Sequence, residues 1–286
     1  MLRESSYVGM IALGMSFVII GGGIDLSAGG IVCLSGVICS RLGVITAIPG
    51  FVIVIACLAV GALCGSINAY IHCKMHLSTF VTTLASGFVF SGFALIVAFR
   101  ESGRLVTQAI TNRSFLNLSG TIINIHIMTL VWIALMAITM FILYKTRFGL
   151  HTYAQGSNPK SAQMSGVNTQ LIKASGFVIS GFFCGLAAAF AISWQGASSL
   201  TLGTGMEFQA IAACVVGGLV FNGGKGDTFG ALVGSVFLTL IMNGIYKYGL
   251  STAYQVLLQG AIIILATAFD VQFSRLSEKR LSGASR

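Results

Sequence analysis

The sequence predicts an all-α, polytopic membrane protein. Charged residues make up only 8% of the 286 residues. More than thirty consecutive residues carry no formal charge between Arg41 and Lys74, and again between Lys173 and Glu207. About twenty apolar residues let a helix cross the roughly 30 Å hydrocarbon layer, and the mean hydropathy of +0.92 agrees with several crossings. The runs show no sustained apolar–polar alternation, which favours helices over a barrel.

The uncharged runs predict about nine crossings with no soluble domain between them. The longest hydrophilic stretches are 99–123, 145–173 and 271–286. We therefore expect a single transmembrane domain over residues 1–286, in which the first two crossings are shorter than the rest. The predicted crossings, in order, are residues 7–22, 28–45, 50–70, 78–98, 124–144, 174–194, 206–222, 228–247 and 252–270.

Small residues inside these runs predict close packing between helices. The chain has 36 glycines, and small residues let membrane helices approach each other closely. The segments 185–189 (Gly-Leu-Ala-Ala-Ala) and 230–234 (Gly-Ala-Leu-Val-Gly) are predicted packing faces. The seven cysteines show no C-x-x-C spacing and also read as small packing residues. His72 and His76 flank Lys74 in a short loop, which is a poor metal site, so no metal is expected.

The distribution of basic residues predicts the orientation, since short basic loops stay in the cytoplasm. The loop 145–173 contains Lys and Arg but no acid, and the tail 271–286 is also basic. Both are therefore predicted to be cytoplasmic, and the four crossings between them agree. The loop 99–123 is predicted outside, although it carries three arginines. The excess of basic residues in the predicted cytoplasmic segments explains the net charge of +9. No basic patch indicates nucleic-acid binding.

The first motif is a glycine-rich break at 21–30, with the sequence Gly-Gly-Gly-Ile-Asp-Leu-Ser-Ala-Gly-Gly. Such breaks occur at membrane depth only against protein or a water-filled cavity. Asp25 is costly in lipid and should face the interior or an interface. Two interpretations remain open: Asp25 and Ser27 cap or pack the next helix, or they line a substrate path.

The second motif runs from Gly203 through Glu207 and Gln209 to the glycines at 217–218 and 223–226. Glu207 is predicted in the first turn of a helix, where the macrodipole stabilises an anion. The same glycines, carboxylate and amide also suit hydrogen bonding to a hydroxylated solute. The segment Gly224-Lys225-Gly226 is not a phosphate loop, because the Ser or Thr after Lys and the preceding strand are missing.

The third motif is the predicted cytoplasmic segment 146–167. Asn158 and Pro159 are typical of the start of a short helix, as N-cap and first residue. Ser161, Ala162 and Ser165 predict a small-residue face, and Gly166 a helix end. We expect a helix over 156–167 that docks a partner, the alternative being a plain connecting loop.

With these residues in place, the chain resembles the membrane-spanning permeases of the ribose and simple-sugar type of bacterial ATP-binding-cassette importers. The similarity runs in order from Met10 to Asp270. The matching pieces are 22–27, 146–149, 156–158 with 165–167, Glu207 with 210–213, 217–218, 223–226, 243–244 and 254–255. Two residues depart from the family pattern: Gln209 stands where an aspartate is common, and Ser161 where an alanine is common.

The resemblance implies a permease in the bacterial inner membrane, paired with itself or a paralogue. It also implies a cytoplasmic ATPase that binds the ATP and docks on 156–167, and a periplasmic sugar-binding protein. The residues implied in the substrate path are Asp25, Ser27, Glu207, Gln209, Asn243 and Gln255. Those implied in ATPase coupling are Gly156, Asn158, Ser161, Ala162, Ser165 and Gly166. Family members usually have about ten helices, so one further helix is expected before Met1.

Energy from a separate ATPase is the leading hypothesis, since this chain has no Walker motif. No cofactor of its own is expected. The alternative is an ion-coupled secondary transporter or channel, which needs interior ionisable groups as a relay; only Asp25 and Glu207 qualify. A membrane enzyme is disfavoured because the sequence offers no nucleophile–base pair and no metal-ligand constellation.

Overall fold

The computed structural model describes residues 2–98, residues 109–249 and scattered positions between 254 and 268. This part of the chain contains eleven α-helices, one short 3-10 helix and one two-stranded hairpin. The α-helices are α1 (Leu2–Ile20), α2 (Ala28–Gly43), α3 (Gly50–Met75), α4 (Thr79–Ala98), α5 (Arg113–Leu116), α6 (Ile127–Lys145), α7 (Arg147–Ser157), α8 (Pro159–Met164), α9 (Thr169–Gln195), α10 (Met206–Val216) and α11 (Thr228–Lys247). The 3-10 helix is Asn117–Ser119, and β1 (Thr121–Ile122) pairs antiparallel with β2 (Ile125–His126).

Six of the described helices are long and apolar enough to cross a membrane: α1, α3, α4, α6, α9 and α11. Helices α2 and α10 are apolar but shorter, at 16 and 11 residues. The expectation of about nine crossings is therefore not confirmed within the described residues. The predicted crossing at 252–270 lies largely outside them.

Capping residues explain where the observed helix ends differ from the predicted ones. Helix α9 begins five residues before the predicted start, because Asn168 Oδ1 accepts the Leu171 N–H at 3.0 Å. Helix α10 ends at Val216 and not at residue 222, because Gly218 adopts a left-handed φ of 91° that ends the helix. The predicted crossing 206–222 is thus a short helix followed by an irregular segment.

Helices α1 and α9 form the centre of the bundle. In their apolar windows, 83% of the residues of α1 and 78% of those of α9 are buried, against a third or less in α3, α4 and α6. The outer helices expose large apolar side chains, among them Phe51, Leu63, Phe88, Ile96 and Phe141. Exposed apolar side chains in this quantity are typical of a surface that faces lipid.

Glycines hold the helix pairs at short distance, as the sequence predicts. On α3 and α9, a Cβ at Gly61 would overlap the Gly181 carbonyl, and one at Gly185 would overlap the Cys57 carbonyl. On α10 and α11, Gly234 lies in the same way against Ala213. The two predicted packing faces, 185–189 and 230–234, are confirmed at these glycines.

Replacing Gly181 by alanine is therefore expected to lower the thermal midpoint of the detergent-solubilised protein by several degrees. The added methyl group meets backbone atoms that cannot rotate away, and overpacking of this kind costs about 1–3 kcal/mol. Gly92→Ala on α4 is the matched control, since no atom lies within 4 Å of that Cβ position. Equal midpoints for the two variants would contradict the packing account.

The connection between α4 and α6 contains β-structure that the all-α prediction did not include. Its two strands have two residues each, and the turn between them places Ile123 and Asn124 at φ of 51° and 61°. Asn112 fastens this region to the bundle, because its Nδ2 donates to the carbonyls of Ile45 and Ile48 at 3.0 and 2.6 Å. The strands are too short for a periodicity in the sequence to indicate them.

Candidate functional site

The first glycine-rich break connects the end of α1 to the start of α2. Gly22 has a φ of 76°, which lets the chain turn after Ile20. Two freed backbone N–H groups find partners on α4: Leu26 donates to Thr83 Oγ1 at 3.0 Å, and Ile24 to Thr79 Oγ1 at 3.4 Å. The break is therefore satisfied by protein, as irregular backbone at membrane depth requires.

Asp25 is the fully buried centre of a polar network in this break. Its Oδ1 accepts the Ser27 N–H at 3.0 Å and the Ser27 hydroxyl at 2.5 Å, and its Oδ2 accepts the Ser180 hydroxyl of α9 at 2.7 Å. Asn68 of α3 donates to the Ser27 oxygen at 2.7 Å. The network thus joins α2, α3 and α9 through the Asp25 carboxylate and the Ser27 hydroxyl.

This geometry refines the capping interpretation of Asp25 and Ser27. Ser27 is the N-cap residue of α2, but its hydroxyl makes no capping hydrogen bond and donates to Asp25 instead. Asp25 makes its contacts with neutral donors and has no exposed surface. Asp25 and Ser27 therefore hold the start of α2 against α3 and α9. A place for them in a substrate path stays a prediction.

The second break, residues 196–205, follows α9 and returns toward the interior of the bundle. Ala197 forms an isolated β-bridge with Ala109. The chain then runs past α2, which it contacts at Leu200 and Leu202. The Leu200 carbonyl accepts from the Cys33 thiol at 3.4 Å, and Leu202 packs against Gly36. The segment then reaches the first turn of α2, where α10 begins. It therefore packs along the first half of α2.

The two breaks meet at the first turn of α2. Gly203 and Glu207 both lie against Gly29: a Cβ there would overlap the Gly203 carbonyl and the Glu207 carboxylate. Gly29 lies in the first turn of α2, two residues beyond Ser27 of the Asp25 network. We call the group Gly29, Gly203 and Glu207 the junction. Its carboxylate belongs to a half-buried residue in the first turn of α10.

The other residues expected in the substrate path are not brought to the junction. Gln209 is half-buried on α10, but residues two apart on a helix do not share a face with each other, so it points away from Glu207. Asn243 lies near the far end of α11 and donates to Glu4 Oε2 at 2.7 Å. Gln255 lies outside the described residues.

Two network residues, Asn68 and Ser180, were not predicted from the sequence. The sequence could have indicated Asn68, because an amide within an apolar run must find a hydrogen-bond partner inside the bundle. Ser180 had none, since a serine among glycines and alanines is typical of close helix packing. Its role is visible only once α9 is placed beside Asp25.

At the end of the bundle predicted to be cytoplasmic, α7 lies against the first break. Gly156 packs on the Ile20 carbonyl and on the Gly224 backbone, so closely that any side chain would overlap both. The Gly224 N–H donates to the Ile20 carbonyl at 2.8 Å. Tyr153 donates to the Gly226 carbonyl at 2.7 Å, and burial raises the pKa of this phenol, which keeps it a donor.

The predicted docking helix is shorter than expected, and one residue of its predicted outward face points into the bundle. It covers Pro159–Met164 and not 156–167, because Gly156 belongs to α7. Asn158 is its N-cap as predicted, with Oδ1 accepting the Ser161 N–H at 3.0 Å. Of the predicted small-residue face, Ala162 is buried, whereas Ser161 and Ser165 are exposed.

The outward surface of α8 is formed by its other residues and by the turn that follows. Met164 is 83% exposed, and Ser161 and Ser165 are exposed beside it. Gly166 adopts a φ of 84° just after the helix, which confirms the predicted end. Helix α8 thus presents a methionine flanked by two serines.

Comparison with known proteins gives one family for the whole bundle. The family model for the branched-chain amino acid transport system / permease component matches residues 1–267. Among curated relatives, the ribose import permease protein RbsC of Haemophilus influenzae is 33% identical, covering 94% of this chain and 83% of the relative. RbsC of Bacillus subtilis is 34% identical with the same coverage.

A third relative differs in the sugar that it is named for. The fructose import permease protein FrcC of Rhizobium meliloti is 31% identical over 94% of this chain and 76% of its own length. No solved structure matches the chain. The similarity therefore extends through both glycine-rich breaks and through α7 and α8.

Proposed function

Since this chain belongs to the permease-component family of branched-chain amino acid transport systems, and its relatives are sugar import permeases, we propose that it is the membrane-spanning subunit of an ABC importer for a small sugar. Solute then passes from a periplasmic binding protein to the cytoplasm, and a separate ATPase supplies the energy. The observation that carries the proposal is the meeting of two glycine-rich breaks at the junction of Gly29, Gly203 and Glu207.

The protein is a multi-pass protein of the bacterial inner membrane. For its topology we keep nine crossings: the six long helices, the short helices α2 and α10 with their irregular extensions, and residues 252–270. At 1.5 Å per residue, α2 spans about 24 Å and α10 about 16 Å, so each needs its adjoining glycine-rich segment to cross. In this arrangement 145–173 and 271–286 are cytoplasmic parts of one domain.

The substrate path is proposed along the exposed side of the second break. Thr201 and Thr204 are exposed and Glu207 is half-buried. We place this segment at membrane depth because it packs against the apolar helix α2. Polar groups at that depth face water or another protein chain. We therefore place the path between this segment and a second permease chain, with hydroxyl and carboxylate oxygens available to the hydroxyls of a neutral sugar.

The ATPase is proposed to dock on α8. Helix α8 is seated by buried Ala162 and presents Met164 outward. Behind it, Gly156 joins α7 to the end of α1 and to Gly224. Movement of α8 is thereby transmitted through rigid backbone contacts to the first break, where Asp25 lies.

Met164→Glu is expected to reduce sugar-stimulated ATP hydrolysis by the assembled importer at least tenfold. An unpaired carboxylate buried in an interface costs about 2–5 kcal/mol. The control is Ile123→Glu, which changes an exposed apolar residue in the hairpin before α6, at the opposite end of that helix from α7 and α8. Full stimulation in the Met164 variant, or equal loss in both, would place the ATPase elsewhere.

Affinity purification tests the proposed assembly. The tagged chain, expressed from its native chromosomal locus and extracted in mild detergent, should co-elute with an ABC ATPase. An ion-coupled transporter or channel would elute without one and would transport solute along an ion gradient in the absence of ATP. Co-elution that depends on α8 would distinguish specific docking from contamination.

A further inference from the structure

The hairpin of β1 and β2 turns its apolar face away from the bundle. Cross-strand partners share a face, and successive residues alternate between the two faces. In the register Thr121↔His126 and Ile122↔Ile125, the two isoleucines therefore share one face. The His126 ring lies edge-on against Trp194 of α9, with the ring centroids 6.0 Å apart. The polar face is thus turned toward the bundle, and Ile122 and Ile125 are exposed.

The turn of this hairpin adds a third exposed isoleucine. Ile123 is 90% exposed and has a φ of 51°. A left-handed backbone favours glycine, asparagine or aspartate, and a β-branched residue there is rare. In water, this isoleucine is unfavourable both for its backbone conformation and for its exposed apolar surface. An exposed patch of this kind marks contact with a protein or with a membrane.

The length of α6 places the hairpin at a membrane surface. Helix α6 begins directly after the hairpin and has 19 residues, so it spans about 28 Å at 1.5 Å per residue. The hydrocarbon layer is about 30 Å thick. With Lys145 at one surface of this layer, Ile127 lies at the other. At about 3.3 Å per residue, the turn lies within roughly 10 Å of His126. The hairpin therefore lies in or beside the head-group layer.

The residues around the hairpin are typical of a membrane–water interface. Arg3 Cζ lies 3.3 Å from the centroid of the Trp194 ring, on which His126 also packs. Helices α1 and α6 start at the same level, because the hydroxyls of Ser6 and Thr129 share a hydrogen bond at 3.0 Å. Tryptophan is enriched at this level of a membrane, and arginine there extends its charge to the head groups.

We propose that the outward face of this hairpin inserts into the head-group region of the lipid bilayer. Lipid is the occupant because the exposed apolar surface continues along α6, where Ile133, Ile138 and Phe141 are exposed. Residues 109–126 contain no acid that would repel anionic head groups. A charge at this depth costs little, so Ile123→Glu remains a fair control for α8.

Tryptophan fluorescence tests the proposal on the purified chain, so its outcome does not depend on the proposed transport function. Ile122→Trp and Ile125→Trp are placed in nanodiscs of phosphatidylcholine, with or without bromine on the acyl chains near the head groups. Iodide is the quencher that acts from water. Phe141→Trp on α6 is the lipid control, and Lys160→Trp on α8 is the water control. The signal of the unchanged chain, which has two tryptophans, is subtracted.

Quenching by brominated lipid at 122 and 125 that is at least half of that at 141, with weak quenching by iodide, supports insertion. Strong quenching by iodide at both positions, as at 160, without quenching by brominated lipid would overturn the proposal and leave this face to a protein partner. Quenching by neither probe would also overturn it, because protein would then cover the face, such as a second copy of the chain. If only one variant elutes as a folded protein in gel filtration, that position decides.

Discussion

Asp25→Ala is expected to lower the thermal midpoint of the purified protein by about 10 °C. The change leaves the hydroxyls of Ser27 and Ser180 without their acceptor in a closed interior. Each buried group that loses its partner costs about 1–3 kcal/mol, and each kcal/mol corresponds to roughly 2–4 °C for chains of comparable size. Asp25→Asn should lower the thermal midpoint less, since its side chain keeps one acceptor oxygen.

A double-mutant cycle isolates the contact behind this expectation. Asp25→Ala, Ser180→Ala and the double variant are compared by thermal unfolding in one detergent. Because the two side chains touch at 2.7 Å, their effects should be clearly non-additive. If Asp25→Ala is as stable as the wild type, the carboxylate is not structural, and the alternative role in lining a substrate path gains support.

Glu207→Gln is expected to reduce sugar uptake at least tenfold while the thermal midpoint stays within a degree or two. Glu207 is half-buried beside Gly29 at the start of α10, where it is available to a sugar hydroxyl. A hydrogen bond to a charged group contributes about 1.5–3 kcal/mol, and 1.4 kcal/mol corresponds to a factor of ten. Uptake is measured in membrane vesicles with the radiolabelled sugar that the cognate periplasmic binding protein binds.

Glu4→Gln is the matched control for this experiment. It makes the same chemical change at another half-buried acid, whose carboxylate pairs with Asn243. The account expects nearly normal uptake from Glu4→Gln. Unchanged uptake in Glu207→Gln, or equal losses in both variants, would remove Glu207 from the path.

Much of the bundle could be predicted from the sequence, because the bilayer allows few solutions. Long uncharged runs had to be helices, and several of their glycines mark close contacts, as Gly185 and Gly234 do. The N-cap at Asn158 also followed from local chemistry. These features depend on a few neighbouring residues or on solvent alone, which is why the sequence carries them.

Features that depend on distant contacts could not be predicted. Nothing near Ala162 shows that it turns inward, since that depends on how α8 packs on α7 and α9. The pairing of Asn243 with Glu4 joins residues 239 positions apart, so no spacing in the sequence could indicate it.

Reconstituted transport tests the central claim most directly. The chain, the ATPase that co-elutes with it and the cognate periplasmic binding protein are placed in proteoliposomes, and entry of radiolabelled sugar is followed. A sugar permease of an ABC importer should transport only with ATP and the binding protein together, and should stop when either is left out. Uptake driven by an ion gradient without ATP would contradict the account.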